Sequence, residues 1–167
     1  MAVREILVDP DPRLRQRCAP IEAFDADLAG LVEDLLDTLY AGTAIGLSAP
    51  QIGVPRRVLV MDLSSARDTP EVFINPEVLA VDRLARVEES CLSVPGVSAT
   101  IVRPIRTKVR ALDRHGELVE AKLEDLRAVC LLHEVDHLEG RLFTDHLPAW
   151  RRLLLRWRGR PAAPRAA

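Results

Sequence analysis

Residues 133–137, with the sequence HEVDH, have the residue types and the spacing of a catalytic metal site. On a helix, His133 and His137 lie one turn apart on one face, where both imidazoles can bind a single metal ion with Glu134 beside it. The chemistry indicated is hydrolysis, in which the carboxylate takes a proton from an attacking water. The alternative is a pair of hydrogen-bonded core histidines. That arrangement would leave several buried polar atoms to satisfy.

A metal site of this kind needs a third protein ligand, and two familiar sources of one are missing. One group of zinc proteases uses a glutamate well downstream, but Glu139 is the only glutamate after His137 and lies too close on the same helix. Another group uses the pattern HExxHxxGxxH, and here Phe143 stands at the position of the last histidine. Both protease interpretations are therefore weakened.

Among the three cysteines, Cys91 is the best candidate for the third ligand. It lies in a polar segment rich in turn residues, ESCLSVPG at residues 89–96. Cys130 shares a helical face with the two histidines, but the three residues span about two turns, too far to converge on one ion. We expect Cys130 to pack in the core or line the pocket, and Cys18 is remote in the sequence. Three scattered cysteines also fit a reducing compartment better than a disulfide framework.

Three helices are predicted to position these residues. Apolar residues with helical spacing indicate a first, amphipathic helix with a polar outer face. The HExxH segment lies in a second helix that is apolar on nearly all sides, so we expect it to be buried in the middle of the fold. A third helix is rich in arginine. The predicted boundary residues are Asp25 and Gly42 for the first helix, Glu124 or Asp125 and Gly140 for the second, and Pro148 and Gly159 for the third.

Apolar and alternating segments predict the strands. They occupy residues 57–63 and 71–81, followed by a hairpin of residues 107–113 and 117–124 around a glycine-containing turn. Helices and antiparallel strands that are segregated along the chain indicate the α+β class. We expect one catalytic domain over residues 1–158 and a disordered basic tail over residues 159–167.

The composition restricts the kind of protein. The chain has 167 residues, of which 48% are hydrophobic and 29% charged, as in ordinary globular domains. It has no apolar run of the roughly 18 residues that a membrane span requires. The N-terminus also lacks the pattern of a signal peptide, so a cytoplasmic protein is predicted.

Three segments, in order, resemble the motifs of bacterial-type peptide deformylases. The patterns of that family are GxGLAAPQ, EGCLS and QHExDHLxG. This chain has AIGLSAPQ at residues 44–51, ESCLS at residues 89–93 and LHEVDHLEG at residues 132–140. The resemblance extends from about residue 6 to the C-terminal helix. It implies antiparallel or mixed sheets packed around the HExxH helix.

The resemblance also implies an activity, which is removal of the formyl group from N-formylmethionyl nascent peptides with release of formate. It implies one metal ion held by Cys91, His133 and His137, natively Fe(II) and replaceable by Zn, Ni or Co. Glu134 would be the general base, and the Gln51 amide with the Leu92 backbone N–H would stabilise the oxyanion. No membrane or DNA partner is implied. The residues expected to bind the substrate are Ile45, Gly46, Val87, Glu89, Ser90, Leu126 and Val129.

Four residues depart from the family patterns, namely Ala44, Ser48, Ser90 and Leu132. No ligand, general base or oxyanion donor is among them. Ser90 replaces a glycine, so its side chain could crowd the substrate, or strain the backbone if φ is positive there. The alternative function is therefore a deformylase-like protein that acts on another N-formyl compound, or a metal-binding module with weak catalysis.

The formal charge of −2 conceals an uneven distribution. Residues 149–167 contain six arginines and no acidic residue. The resemblance implies that this C-terminal end docks near the ribosomal exit tunnel, where arginines can contact RNA phosphates. The alternative is a solvated helix face, with Trp150 and Trp157 as core anchors or RNA-stacking groups.

Overall fold

The computed structural model describes residues 2–158, and their side chains as far as residue 155. Within these residues the strands form one sheet in the order β1-β2-β3-β4-β5, and every neighbouring pair is antiparallel. The predicted α+β class is confirmed. The bounds are α1 Ala26–Ala41, β1 Gly46–Ser48, β2 Val58–Met61, β3 Glu71–Cys91, β4 Val94–Leu112, β5 Leu118–Glu124, α2 Asp125–Leu138 and α3 Ala149–Arg158.

Helix α1 begins and ends where the sequence predicts. The carboxylate of Asp25 accepts hydrogen bonds from the backbone N–H groups of Asp27 and Leu28 and so caps the helix. Gly42 follows the last helical residue. The apolar face of α1 packs on β1 and β2, where it forms a core cluster that includes Leu35.

Strands β3 and β4 form a long hairpin that the sequence predicts only in part. β3 extends to Cys91, well beyond the expected end at residue 81. Charged and small residues obscure the alternation in this segment, but continuous pairing, from Val81 opposite Thr107 to Ser90 opposite Ser98, satisfies the backbone hydrogen bonds. The hairpin therefore places Cys91 at a tight turn rather than in a long loop.

Helix α2 packs against β1, β2, β4 and β5. Its buried residues Leu131 and Leu138 join Leu59 and Met61 of β2 in a core cluster. Burial on nearly all sides was expected, and this is wrong for the first turn, where Leu126 is 58% exposed. That turn faces an open cavity instead of the core.

The third predicted helix is present as α3. Near its end, Leu155 packs against a small core cluster that contains Phe143 and Leu147. Trp150 is 59% exposed and does not anchor the helix in the core. The predicted tail, residues 159–167, and the side chain of Trp157 lie outside the described residues. No helix in the described part of the chain is long and apolar enough to span a membrane.

Candidate active site

The end of the β3–β4 hairpin brings Cys91 against the two histidines of α2. The ligand atoms of Cys91, His133 and His137 all lie within 4.8 Å of one another. Cys91 Sγ is 3.3 Å from Nε2 of His137. The three residues proposed as ligands from the sequence therefore form one cluster.

The donors of this cluster fit a divalent metal ion. Nδ1 of His133 hydrogen bonds to Glu89 Oε2 at 2.7 Å, which leaves the opposite ring nitrogen facing Cys91. The buried Nδ1 of His137 has no hydrogen-bond partner among the described residues, and its Nε2 faces Cys91. One thiolate and two imidazoles suit a borderline ion such as Zn²⁺ or Fe²⁺. Three protein ligands also leave a coordination position for water or substrate.

The two histidines have pKa values shifted in opposite directions. Burial lowers the pKa of His133, but hydrogen bonds to Cys91 and Glu89 outweigh it and raise this pKa to about 10. Burial and the charge of His133 lower the pKa of His137 to about 3. Ligation needs both imidazoles neutral and the thiol ionised, so metal binding at this cluster releases protons.

A buried ion-pair network supports the cluster from behind. Arg103 donates to Glu89 Oε1 from Nε at 2.7 Å and to Asp136 Oδ2 from Nη1 at 2.6 Å. Asp136 also pairs with Nε2 of His146 at 2.7 Å. Burial alone would raise the pKa of Glu89, but the bonds from His133 and Arg103 keep it below its ordinary value. Glu89 is therefore a fixed carboxylate that orients His133.

Glu134 lies beside the cluster and is buried, with 3% of the residue exposed to solvent. Burial raises the pKa of Glu134, although the charge of His133 and a hydrogen bond to Ser48 oppose this shift. Its Oε2 has no hydrogen-bond partner among the described residues. A carboxylate with a raised pKa and an unused oxygen is suited to accept a proton.

The backbone of β1 approaches α2 so closely that only glycine fits at residue 46. A Cβ at Gly46 would lie 2.7 Å from Cys130 Sγ and 2.8 Å from Glu134 Oε1. Cys130 is buried against this contact and also borders the cavity, as expected, and burial raises its pKa. The glycine thus allows the edge strand to reach the general-base candidate.

Gln51 lies in a short 3-10 turn that follows β1. Its Oε1 accepts from the backbone N–H of Ser48 at 2.9 Å, and its Nε2 is 3.6 Å from Cys91 Sγ and 3.2 Å from Ser93 Oγ. A backbone N–H can only donate, so the amide oxygen faces Ser48 and the NH₂ group faces the metal cluster. Leu92, in the hairpin turn, also lines the cavity.

These groups border an open cavity of about 510 Å³. Val87, which was expected in the cleft, packs instead near Ile101 and Phe143. Ser90 is exposed, and its φ is not positive, so its side chain causes no backbone strain. Six of the seven predicted substrate residues line the cavity: Ile45, Gly46, Glu89, Ser90, Leu126 and Val129.

Sequence reasoning missed several supporting residues. Arg103 could have been noticed, since residues 101–105, IVRPI, place a charge within an apolar strand segment. Ser93 belongs to the second motif but has no pattern that indicates its contact with Gln51. Asp136 lies in α2 and His146 in the 3-10 turn that follows it, so their hydrogen bond depends on how the chain turns after α2.

Comparison with known proteins agrees with this geometry. The family model of polypeptide deformylase matches residues 3–152. The chain belongs to the polypeptide deformylase family. The peptide deformylase of Phenylobacterium zucineum is 52% identical over 155 residues, which cover 91% of this chain and 92% of the relative. The resemblance inferred from the three motifs is confirmed.

Solved structures of the deformylase family have the same fold. The crystal structure of a peptide deformylase from Legionella pneumophila has a TM-score of 0.90 at 44% identity and covers 93% of this chain and 92% of that one. The crystal structure of a peptide deformylase from Ehrlichia chaffeensis in complex with actinonin has a TM-score of 0.89 at 34% identity. This match covers 96% of this chain and 100% of that one. The likeness therefore covers more than nine tenths of the chain.

Proposed function

We propose that this protein is a metal-dependent hydrolase that removes the formyl group from N-formylmethionyl peptides and releases formate. The observation that carries the proposal is that Cys91, His133, Glu134 and Gln51 line one open cavity, with His137 in the same ligand cluster as Cys91 and His133, in a member of the deformylase family. The formyl group is the smallest acyl group, so short distances between the metal ligands, the Glu134 carboxylate and the Gln51 amide suit it. A deformylase-like binding module would not need a buried general base.

Each residue has a role that its position supports. The metal, when bound, supplies Lewis acidity and lowers the pKa of water. Glu134 accepts the proton from the attacking water and delivers it to the leaving amine. The Gln51 NH₂ group and the Leu92 backbone N–H donate to the developing oxyanion.

The substrate side chain is held by apolar contacts. Ile45, Leu126 and Val129 provide an apolar wall along the cavity. A flexible thioether fits such a slot without any charged partner, which accounts for selection of methionine. In the described residues the short strand β1 is at the edge of the sheet, with no strand on its outer side, and a peptide can add to it as a further strand.

The native ion in this proposal is Fe(II), with Zn, Ni or Co as replacements. Mixed thiolate and imidazole ligands accept all four ions. Metal analysis of protein purified without air would identify the ion. Zinc as the main metal in such protein would contradict the iron assignment and leave the hydrolase proposal intact.

A formate-release assay tests the activity. Metal-loaded protein is given a formyl-Met tripeptide, beside the same tripeptide with an N-acetyl group and beside the Glu134→Ala variant. Formate from the wild-type protein alone, and only with the formyl substrate, is the expected result. Stoichiometric metal without formate release would contradict the proposal.

The proposed setting of the activity is the cytoplasm, on nascent chains at the ribosome. The exposed arginines Arg151 and Arg152 of α3 support this, since they can contact RNA phosphates.

A further inference from the structure

A fully buried serine lies against two polar side chains of the site, Gln51 and Glu134. Ser48 ends the edge strand β1 and is 0% exposed. Its Oγ lies 3.0 Å from Gln51 Oε1. It also lies near Glu134 and helps to lower the pKa of that carboxyl group. Because a buried hydroxyl without a partner is costly, these contacts are where its hydrogen-bonding capacity is used.

The contact with Gln51 is directional. Oε1 accepts two hydrogen bonds from the same residue, one from the Ser48 backbone N–H at 2.9 Å and one from its hydroxyl at 3.0 Å. Both lone pairs of the amide oxygen are then occupied. An exchange of oxygen and nitrogen would place an NH₂ group against the backbone N–H. The amide therefore keeps its Nε2 toward Cys91 Sγ, at 3.6 Å.

We propose that Ser48 is a positioning residue for Gln51, whose hydroxyl holds the side-chain amide with Nε2 directed at the site of the developing oxyanion. This inference rests on the proposed function, because the direction of Nε2 matters for turnover only if the formyl carbonyl is attacked there. With alanine at residue 48, as in the family pattern, the backbone N–H would be the single bond from residue 48 to the amide. The serine adds a second restraint, and both its own side chain and that of Gln51 are buried.

The contact with Glu134 offers a second route by which Ser48 could affect catalysis. A hydroxyl has one proton, so it donates to one acceptor at a time. The bond length to Gln51 and the pairing of two donors on one oxygen favour the route through Gln51. A useful experiment must therefore separate an effect through Gln51 from an effect through Glu134.

A double-mutant cycle of Ser48→Ala and Gln51→Ala makes this separation. With metal-loaded protein and a formyl-Met tripeptide, Ser48→Ala is expected to lower kcat about fivefold and to leave KM unchanged. In the Gln51→Ala background the same change should have no further effect, since the group that it positions is gone. Thr107→Val is the matched control, because it removes another buried hydroxyl, bonded to the Ala80 carbonyl at 3.0 Å, and should leave kcat unchanged.

A second readout does not depend on turnover. The side-chain NH₂ signals of Gln51 can be followed by nitrogen NMR relaxation in the zinc-loaded protein. We expect a rigid amide in the wild-type protein and in Thr107→Val, and a more mobile one in Ser48→Ala. Unchanged mobility together with unchanged kcat would overturn the inference.

The outcomes also distinguish this inference from the proposed function. A loss of kcat that persists in the Gln51→Ala background would overturn the role through Gln51 and assign the effect to Glu134. If the wild-type protein releases no formate, the proposed function fails. The mobility of the Gln51 amide then still decides whether Ser48 positions it.

Discussion

The carboxylate of Glu89 fixes the orientation of His133. It is buried, accepts from Nδ1 of His133 at 2.7 Å, and is itself held by Arg103. Glu89→Gln should weaken metal binding about 10- to 100-fold, because a neutral amide holds the imidazole less firmly and makes it a poorer ligand. Competition with a chelator measures this affinity.

Glu88→Gln is the matched control for that variant. Glu88 is the adjacent residue, but it is exposed and bonds to the hydroxyl of Ser98 instead of a ligand. The Glu88→Gln variant loses the same charge as Glu89→Gln, but the changed side chain does not contact the metal cluster. The metal affinity of this variant should therefore equal that of the wild type. Equal affinities for both variants would contradict the role of Glu89.

Asp62 makes a pH-dependent contribution to stability. Its buried carboxylate accepts hydrogen bonds from the Ser64 and Tyr40 hydroxyls and from the Thr69 backbone. The Ser64 bond, with the others, lowers the pKa of Asp62 from 3.8 to about 2. The contribution is therefore complete above about pH 4 and is lost as the pH falls through the folded-state value.

Asp62→Asn tests this contribution. The variant should have a lower free energy of unfolding than the wild type near neutral pH, and the difference should shrink as the pH falls from about 5 toward 2. Urea unfolding at a series of pH values measures it. A difference that is constant over this range would show that lost packing, not the charge of Asp62, is responsible.

At the level of residues, the sequence was informative where chemistry restricts the choice. HExxH with a nearby cysteine predicts ligands because few residue types bind metals, and these residues do cluster. The supporting contacts could not be predicted. Arg103 contacts both Glu89 and Asp136 only because the hairpin packs against α2. The spacing of residues along the chain does not indicate which elements pack together.

At the level of elements, the packing of β1 on α2 depends on Gly46. A methyl group there would approach Cys130 Sγ to 2.7 Å and Glu134 Oε1 to 2.8 Å, so β1 or the carboxylate must move. Gly46→Ala should therefore lower kcat about 100-fold, since a displacement of about 1 Å in a catalytic group can cost that much. Formate release by the metal-loaded variant measures the loss.

Gly30→Ala provides the control for a glycine change. A Cβ at Gly30, on α1, meets no other atom within 4 Å. This variant should keep full activity and gain about 0.5–1 kcal/mol of stability from its higher helix propensity. Full activity in Gly46→Ala would show that β1 does not constrain Glu134.

The sequence predicts helices and short strands better than the long hairpin. The bounds of α1 follow from Asp25 and Gly42, whose capping roles are local. The far half of β3 was not predicted, because charged residues such as Asp82 and Arg83 are exposed on both of its faces and its pairing with β4 is a non-local interaction. For the same reason Cys91 was expected only in a polar segment rich in turn residues, although the end of a strand positions it.

At the level of the whole molecule, the basic C-terminal end is attached to the catalytic domain through packed contacts. Leu155 of α3 packs near Val94 and Val97, and these two residues also line the active-site cavity. Removal of α3 would therefore disturb the hairpin turn next to Cys91 as well as the charge. A test of RNA contact should change the arginines and keep the helix.

Arg151→Gln with Arg152→Gln is expected to weaken binding to ribosomes and to reduce its dependence on salt. Each contact between an arginine and a phosphate releases counterions on binding, so fewer counterions are released when these contacts are lost. Hydrolysis of a formyl-Met tripeptide should not change, since both side chains are exposed on α3 and neither lines the active-site cavity. Arg86→Gln with Arg141→Gln, also exposed, is the control for net charge. Sedimentation with ribosomes at two salt concentrations measures the affinities, and equal loss in both pairs would indicate a general charge effect instead of docking through α3.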